Sequence, residues 1–301
     1  MLNIDIPLTR KITSSEFLEN CAKLYMAPIN TAIGINALRL NLIGASNTAI
    51  GANTLYNNTA DNNTAVGKEA LFSNTTASNN TAVGYQAGYS NTTGSVTAFG
   101  IQAGYSNTTG VYNIAIGPYA GYSNSTGNSN LFVGYNAGYS TTGSSNTFVG
   151  GLDLSSNATG QNNTSGQYNT AVGSAALRSN TTASNNTAVG YQAGYSNTTG
   201  IRNTFVGVEA GKTNTTTSYQ TYVGFNSGLY ASGNYNTALG DRALEGASAG
   251  STGDWNAAVG HAALSAVTTG STNIAMGVVA LASNTSGDRK STRLNSSHVA
   301  L

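Results

Sequence analysis

The octapeptide Asn80-Thr81-Ala82-Val83-Gly84-Tyr85-Gln86-Ala87 decides the fold, because it recurs unchanged at 186–193. Working outward, segments 63–94 and 169–200 are identical except at positions 68, 69 and 72 of the first copy. The core of the octapeptide, Asn-Thr-Ala-Val-Gly or a near variant, runs along the whole chain. Its closing glycines are Gly34, Gly51, Gly67, Gly84, Gly100, Gly117, Gly134, Gly150, Gly173, Gly190, Gly207, Gly224, Gly240, Gly260 and Gly277. They are 16 or 17 residues apart, except for 23 between Gly150 and Gly173 and 20 between Gly240 and Gly260. Fifteen copies at a short fixed period are the signature of a solenoid, in which each coil covers its neighbour.

Within a copy the periodicity is two, as in a strand. The fourth position is always bulky and apolar, from Ile50, Val66 and Val83 to Met276. It is therefore expected to face the core, and the second position (Thr, but Ile114, Leu131 and Ile274) to share that face. The third position, Ala or Phe132, Phe148, Phe205 and Tyr222, is expected to point outward. On this assignment Val189→Asp collapses the stack, and Thr187→Val is tolerated.

After each glycine comes a second motif, usually Ala, followed by Leu (38, 55, 71, 154, 177, 244, 264, 281) or by Gly-Tyr at Tyr89, Tyr105, Tyr122, Tyr139 and Tyr195. Each coil is thus expected to supply one large side chain at either of two adjacent positions, a rule that Lys212 breaks. Ser-Asn-Thr-Thr-Gly runs follow, and their short polar side chains favour turns. The expected fold is all-β, a parallel β-solenoid of about fifteen 16–17-residue coils. Two short strands per coil and a rise of about 4.8 Å per coil would make a rod roughly 70 Å long. One coil buries little, and association of several rods around an axis would bury the third-position face as well.

Composition agrees and excludes other classes. Only 8% of residues are charged and the formal net charge is +1, so Asn, Thr and Ser are expected to keep the surface wet. Twelve Lys and Arg spread over 301 residues make no basic nucleic-acid surface. No run of eighteen apolar residues offers a membrane span. The single Cys21 can form no intrachain disulfide, and no Cys/His cluster suggests a metal or other cofactor.

The copies of Asn80-Thr-Ala-Val-Gly84-Tyr-Gln-Ala87 resemble the head repeats of trimeric autotransporter adhesins of the YadA type, repeats that also occur in phage tail fibres. The resemblance covers roughly 30–287, although Thr stands where that family favours Val and the coils run a few residues long. It implies a left-handed parallel β-roll and a parallel homotrimer, exposed on a virion or a cell surface, where the rod would meet a host glycan or protein receptor. A phage fibre and a bacterial adhesin head both fit this likeness. Ice binding is an alternative of another class, since Thr48, Thr64, Thr81 and Thr97 form a ladder; Ile114 and Leu131 argue that this position is inside.

Residues 1–29 form an N-terminal segment in which Thr13-Ser-Ser-Glu16 has capping-box form. Phe17, Leu18, Cys21 and Leu24 share a helical stripe before Pro28, which suggests a helix covering the solenoid's open end. Residues 288–301 resemble a translated sequencing adapter and are expected to lie outside the fold, as an artefact following a reading frame cut short. Without them the basic and acidic residues number nine and ten.

No catalytic constellation emerges. Gly207-Val-Glu-Ala-Gly211-Lys212-Thr213 approaches a phosphate-binding loop, but its glycines are ordinary repeat positions. His261 has no nucleophile in a recognisable arrangement, and Asp153, Asp241, Glu245 and Asp254 are scattered. The candidate surface-binding residues lie in the two long repeats, 146–168 and 236–255, whose extra residues are expected after the second motif: Gln161, Asn162, Asn163, Gln167 and Tyr168 in one, Asp254 and Trp255 in the other. Tyr89, Tyr105, Tyr122 and Tyr139 fall in successive coils, where they replace leucine in packing or offer an aromatic stripe to sugars.

Overall fold

The computed structural model describes residues 29–151, 157–247 and 250–293. The expected N-terminal helix lies outside them. The described residues contain no helix and form a β-solenoid of one parallel sheet, with sixteen strands from β1 (Thr31–Ile33) to β16 (Ser291–Arg293). Each strand pairs only with those of the coils before and after it, in sequence order. The register puts like residue on like, as Thr64 on Thr81, Ala65 on Ala82 and Val66 on Val83. β16 carries the ladder past residue 287, into the segment expected to lie outside the fold, with Ser291 opposite Ile274. Backbone pairing does not read side chains, so a segment without the repeat motif can still complete a rung.

The faces of the strand are the reverse of those expected from hydrophobicity. The third position is the core: Ala82, Ala188, Phe148, Phe205 and Tyr222 are fully buried. The fourth position faces outward, and Val189 is 37% exposed and Met276 46%. The second position lies outside with it, including Ile114 at 39%. The reason is the size of the tube. Positions one and three share the inward face, and a 16–17-residue perimeter leaves room there for Asn and Ala but not for a Val on every coil. The third-position aromatics are therefore no trimer interface. Glutamate at Ala188, Ala238 or Ala258 would bury charge inside the tube and not crowd an axis between rods.

Among the described residues only one strand forms per coil, not two. After Gly84 the chain makes successive turns, closed by Ala87 N–H to Gly84 O at 3.3 Å and Tyr89 N–H to Gln86 O at 3.3 Å. Gln86 (φ 54°) and Gly88 (φ 59°) are left-handed, which rules out β geometry while keeping hydrogen bonds to neighbouring coils, as Gly88 N–H to Ala103 O at 2.9 Å. The signature glycine is itself required: Gly84 has φ 137°, and a Cβ on it would fall 2.6 Å from the carbonyl carbon of Gly100.

Leucine takes the second left-handed position in several coils, as at Leu55, Leu71 and Leu177 (φ 49°, 49° and 46°), with its side chain fully buried. A left-handed L-residue costs about 1–2 kcal/mol, and burying a leucine contributes about 1.5–3 kcal/mol, so the exchange is favourable. Where glycine stands there instead, the following tyrosine does not replace the leucine, because it sits half-buried on the outside. At Gly88 and Gly104 the space is filled by Leu71 and by Val96 of a first position, and in the later coils from a neighbouring third position. Phe132 lies against Gly121 and Gly138, Phe205 against Gly194 and Gly211, and Tyr222 against Gly228.

Asparagine is also inside, not only on the wet surface. At the first signature position each Asn Oδ1 accepts the backbone N–H one coil on, as Asn80 N–H to Asn63 Oδ1 and Asn203 N–H to Asn186 Oδ1, both 2.9 Å. A second ladder runs through the turns, with Asn74 Nδ2 donating to Asn58 Oδ1 (2.7 Å) and Asn91 Nδ2 to Asn74 Oδ1 (2.8 Å). These buried amides satisfy backbone groups at corners where no strand does so.

Candidate functional site

Gln161, Asn162, Asn163, Gln167 and Tyr168 are ordinary coil residues, not an insertion. Gly138 N–H donates to Thr159 O and Ser140 N–H to Gln161 O, both at 3.0 Å, which aligns Gly160 with Gly138. The left-handed inward position of this coil is thus Gly160 (φ 56°), not Leu154, and the extra residues precede the turns. Leu154 and Asp153 lie outside the described residues. Asn163 is buried, and its Oδ1 accepts from Asn180 Nδ2 at 2.7 Å, so it belongs to the turn ladder and not to a binding surface. Gln167 and Tyr168 are exposed, Tyr168 at 61%.

The second long repeat does carry its extra residues after the turns, since Tyr230 N–H donates to Glu245 O and Ser251 N–H to Tyr230 O. Asp254 and Trp255 lie beyond that loop. Asp254 Oδ1 accepts the Asn234 N–H at 2.6 Å, a structural role. Trp255 stacks on Tyr235 at 4.1 Å and 6°, and Tyr235 on Tyr219 at 4.8 Å and 8°. Arg202 closes the far end, 5.4 Å from the Tyr219 centroid, with a 2.8 Å hydrogen bond to its hydroxyl. Tyr168 shares this place in the coil but stands five coils from Trp255, about 24 Å at 4.8 Å per rung. The fold therefore does not join the two sets.

The tyrosine ladder is longer than four. Tyr56, Phe72, Tyr89, Tyr105, Tyr122 and Tyr139 stack in succession with centroids 5.0–5.2 Å apart, the last three steps within 7° of parallel. Arg39 lies 5.7 Å from the Tyr56 centroid at the near end. Stacking covers the ring faces and leaves edges and hydroxyls outward, so the body of the ladder is no platform for a sugar face. Burial, then the neighbouring Tyr122, Tyr119 and Tyr135, push the Tyr139 phenol above its ordinary value.

The longest continuous outer feature is the sheet itself. Thr31, Thr48, Thr64, Thr81 and Thr97 form one rank, broken by Ile114 and Leu131, and six threonines from Thr147 to Thr237 form another. Beside them runs the fourth-position rank, apolar from Ile33 to Met276. Hydrophobicity hid this face; the inward preference for Ala and Asn was the signal that could have found it.

The remaining sequence candidates form no centre. Gly207–Thr213 is a run of turns in which Lys212 Nζ meets Glu209 Oε1 at 2.8 Å, which also accounts for the lysine. His261 Nδ1 lies 3.0 Å from Asp241 Oδ2, both half-exposed. Glu245 lies 3.9 Å from Arg242. Among the described residues no three His, Cys, Asp or Glu come together as a metal site. Comparison with family profiles, with curated proteins and with solved structures finds no match in any of the three.

Proposed function

We propose that this chain is a non-enzymatic structural element of an adhesive surface fibre, the shaft or head of a phage tail fibre or of a cell-surface adhesin. In this reading three rods associate in parallel through their outer sheet faces. The observation that carries it is the apolar fourth-position rank. Fifteen rungs at about 4.8 Å give a stripe about 70 Å long, and an exposed apolar surface of that extent marks an interface. Closed threefold symmetry would cover it on every copy. The likeness of the repeats to those of trimeric adhesin heads and phage fibres supports the same reading, with the interface now on the second and fourth positions.

Light scattering tests the assembly. The chain is expected to run as an elongated trimer, and the triple variant Val83→Lys, Val189→Lys, Val206→Lys as a folded monomer. A wild-type monomer at high concentration would sink the trimer.

The outward threonine rank favours a second reading, ice binding. The objection that Ile114 and Leu131 lie inside falls, because Ile114 is 39% exposed on this face. Thermal hysteresis that disappears with Thr187→Tyr and Thr204→Tyr would replace the fibre reading, and its absence in the wild type removes the alternative.

A further inference from the structure

We propose that a cavity at the far end of the tyrosine ladder is a subsite for one neutral hexopyranose ring of a surface glycan. As to the origin of that glycan, the proposal rests on the attachment reading above. The cavity measures about 280 Å³ and is lined by Tyr119, Tyr135, Asn136, Tyr139 and Gln161. It exists because the next coil interrupts two ranks at once. After Tyr139 the ladder continues with Gln161, so Tyr139 has a ring neighbour, Tyr122, on one side only. After Tyr135 comes Gly151, where even a Cβ would meet none of the described residues within 4 Å.

The lining matches the two sides of a sugar. Tyr119 meets Tyr135 edge-on at 5.8 Å and 70°, and tilts 55° from Tyr122 at 6.2 Å. Rings in different orientations thus wall the space, and Tyr139 offers a face on which the axial C–H bonds of a pyranose can lie. The polar groups are amides and phenols. Gln161 Oε1 accepts the Ala158 N–H at 3.2 Å, which fixes the side chain and leaves Nε2 to donate. Asn136 Oδ1 is buried and has no hydrogen-bond partner among the described residues. Its rank begins as an amide ladder, with Gln102 Nε2 donating to Gln86 Oε1 and Gln86 Nε2 to Glu69 Oε2, both 2.7 Å, and Tyr119 ends it before Asn136. Among the described residues no charged side chain lines the cavity, as suits a neutral sugar. Its volume, just below the usual range for ligand pockets, suits one ring and not an extended chain.

Saturation-transfer NMR on the full chain, with methyl β-galactopyranoside and methyl β-glucopyranoside as probes, tests this. At least one glycoside is expected to receive saturation on its axial C–H face. Tyr139→Leu should weaken binding about tenfold or more, a loss of about 1.4 kcal/mol, and Gln161→Ala should weaken it too. Tyr195→Leu should bind like the wild type. Leucine is compatible with this rung, since Leu229 occupies it, and circular dichroism checks each variant's fold. Absence of transfer to both glycosides at millimolar concentration overturns the subsite, as does equal binding by the Tyr139 and Tyr195 variants. A rod that coats cells independently of Tyr139 overturns the subsite but leaves attachment standing. A rod that binds a glycoside through Tyr139 yet adheres to no cell keeps the subsite and overturns attachment.

Discussion

Two stretches of the rod fill the same interior differently. In the coil of β9 (Thr170–Val172) the core pair is Ala171 and Leu177; in that of β7 (Leu131–Val133) it is Phe132 and Gly138. The first arrangement holds Leu177 at φ 46° and places the bulk on the turns. The second relaxes the left-handed position with glycine and places the bulk on the strand, where the ring reaches across two coils to Gly121 and Gly138. What the repeats keep is the filled volume at native packing density, not the residue at a given position. Coils that share a backbone are therefore not interchangeable in sequence.

The comparison breaks first if the interior has been placed on the wrong side of the strand. Ala188→Asp should cost about 3–5 kcal/mol, since it buries an unpaired charge in either type of coil. Val189→Asp, one residue on, should change the stability of a dissociated rod by only about 0.5 kcal/mol, as at an ordinary surface site. Urea unfolding of the two variants decides it. Equal losses would mean that both faces of the strand are buried.

A double-mutant cycle sharpens it next. Phe132→Ala should cost about 3–5 kcal/mol through the cavity it leaves. Gly121→Leu alone should cost about 1–3 kcal/mol by overpacking, because a Cβ there already falls 2.5 Å from Cδ2 of Phe132. Together they rebuild the pattern of Leu71 beside Gly88, where Cδ2 of Leu71 occupies the space next to the glycine. The double variant should recover about 1–3 kcal/mol relative to the sum of the single losses. Strict additivity would show that the two core types do not exchange volume.

These tests also mark what was legible in the sequence. The period, the parallel stacking and the all-β class follow from the glycine spacing, since a fixed repeat forces like onto like. The faces did not follow, because Val and Ile look like core residues at any position. In a narrow tube the decisive property is small size, shown by the third-position Ala and the first-position Asn. The turns look like a strand in the sequence because leucine at Leu55 or Leu71 gives no hint of positive φ. The neighbouring coils, with glycine in the same place, did carry that hint. Of the candidate site, Tyr89–Tyr139 aligned as expected and Trp255 proved exposed. Asn163 went inside because its place in the Ser-Asn-Thr-Thr-Gly run is a corner of the tube. Tyr119, Tyr135 and Asn136 could not be grouped with Gln161 without knowing that the extra residues precede the turns.

The smallest expected effect lies within the strand-filled type itself. Phe132, Phe148 and Phe205 follow an Asn two residues earlier, whereas Tyr222 follows Gln220. The longer amide reaches the phenol, and Tyr222 donates to Gln220 Oε1 at 2.6 Å. Because that oxygen also accepts the Asn236 N–H at 3.1 Å, Tyr222→Phe does not orphan it. The loss near neutral pH should be only about 1 kcal/mol. Burial pushes the Tyr222 phenol well above the ordinary tyrosine range. Below about pH 10, the unfolded value, Tyr222 is neutral in both states and adds no pH dependence. Above it the unfolded chain gains a phenolate that the folded chain cannot form, so stability falls as pH rises, by up to about 1.4 kcal/mol per unit for this group. Phenylalanine removes that term, while the other tyrosines are common to both proteins and cancel. In urea unfolding across the alkaline range, the wild type's advantage should therefore shrink and then reverse. A gap that stays constant or widens would mean that the Tyr222 hydroxyl is not buried as the structure places it.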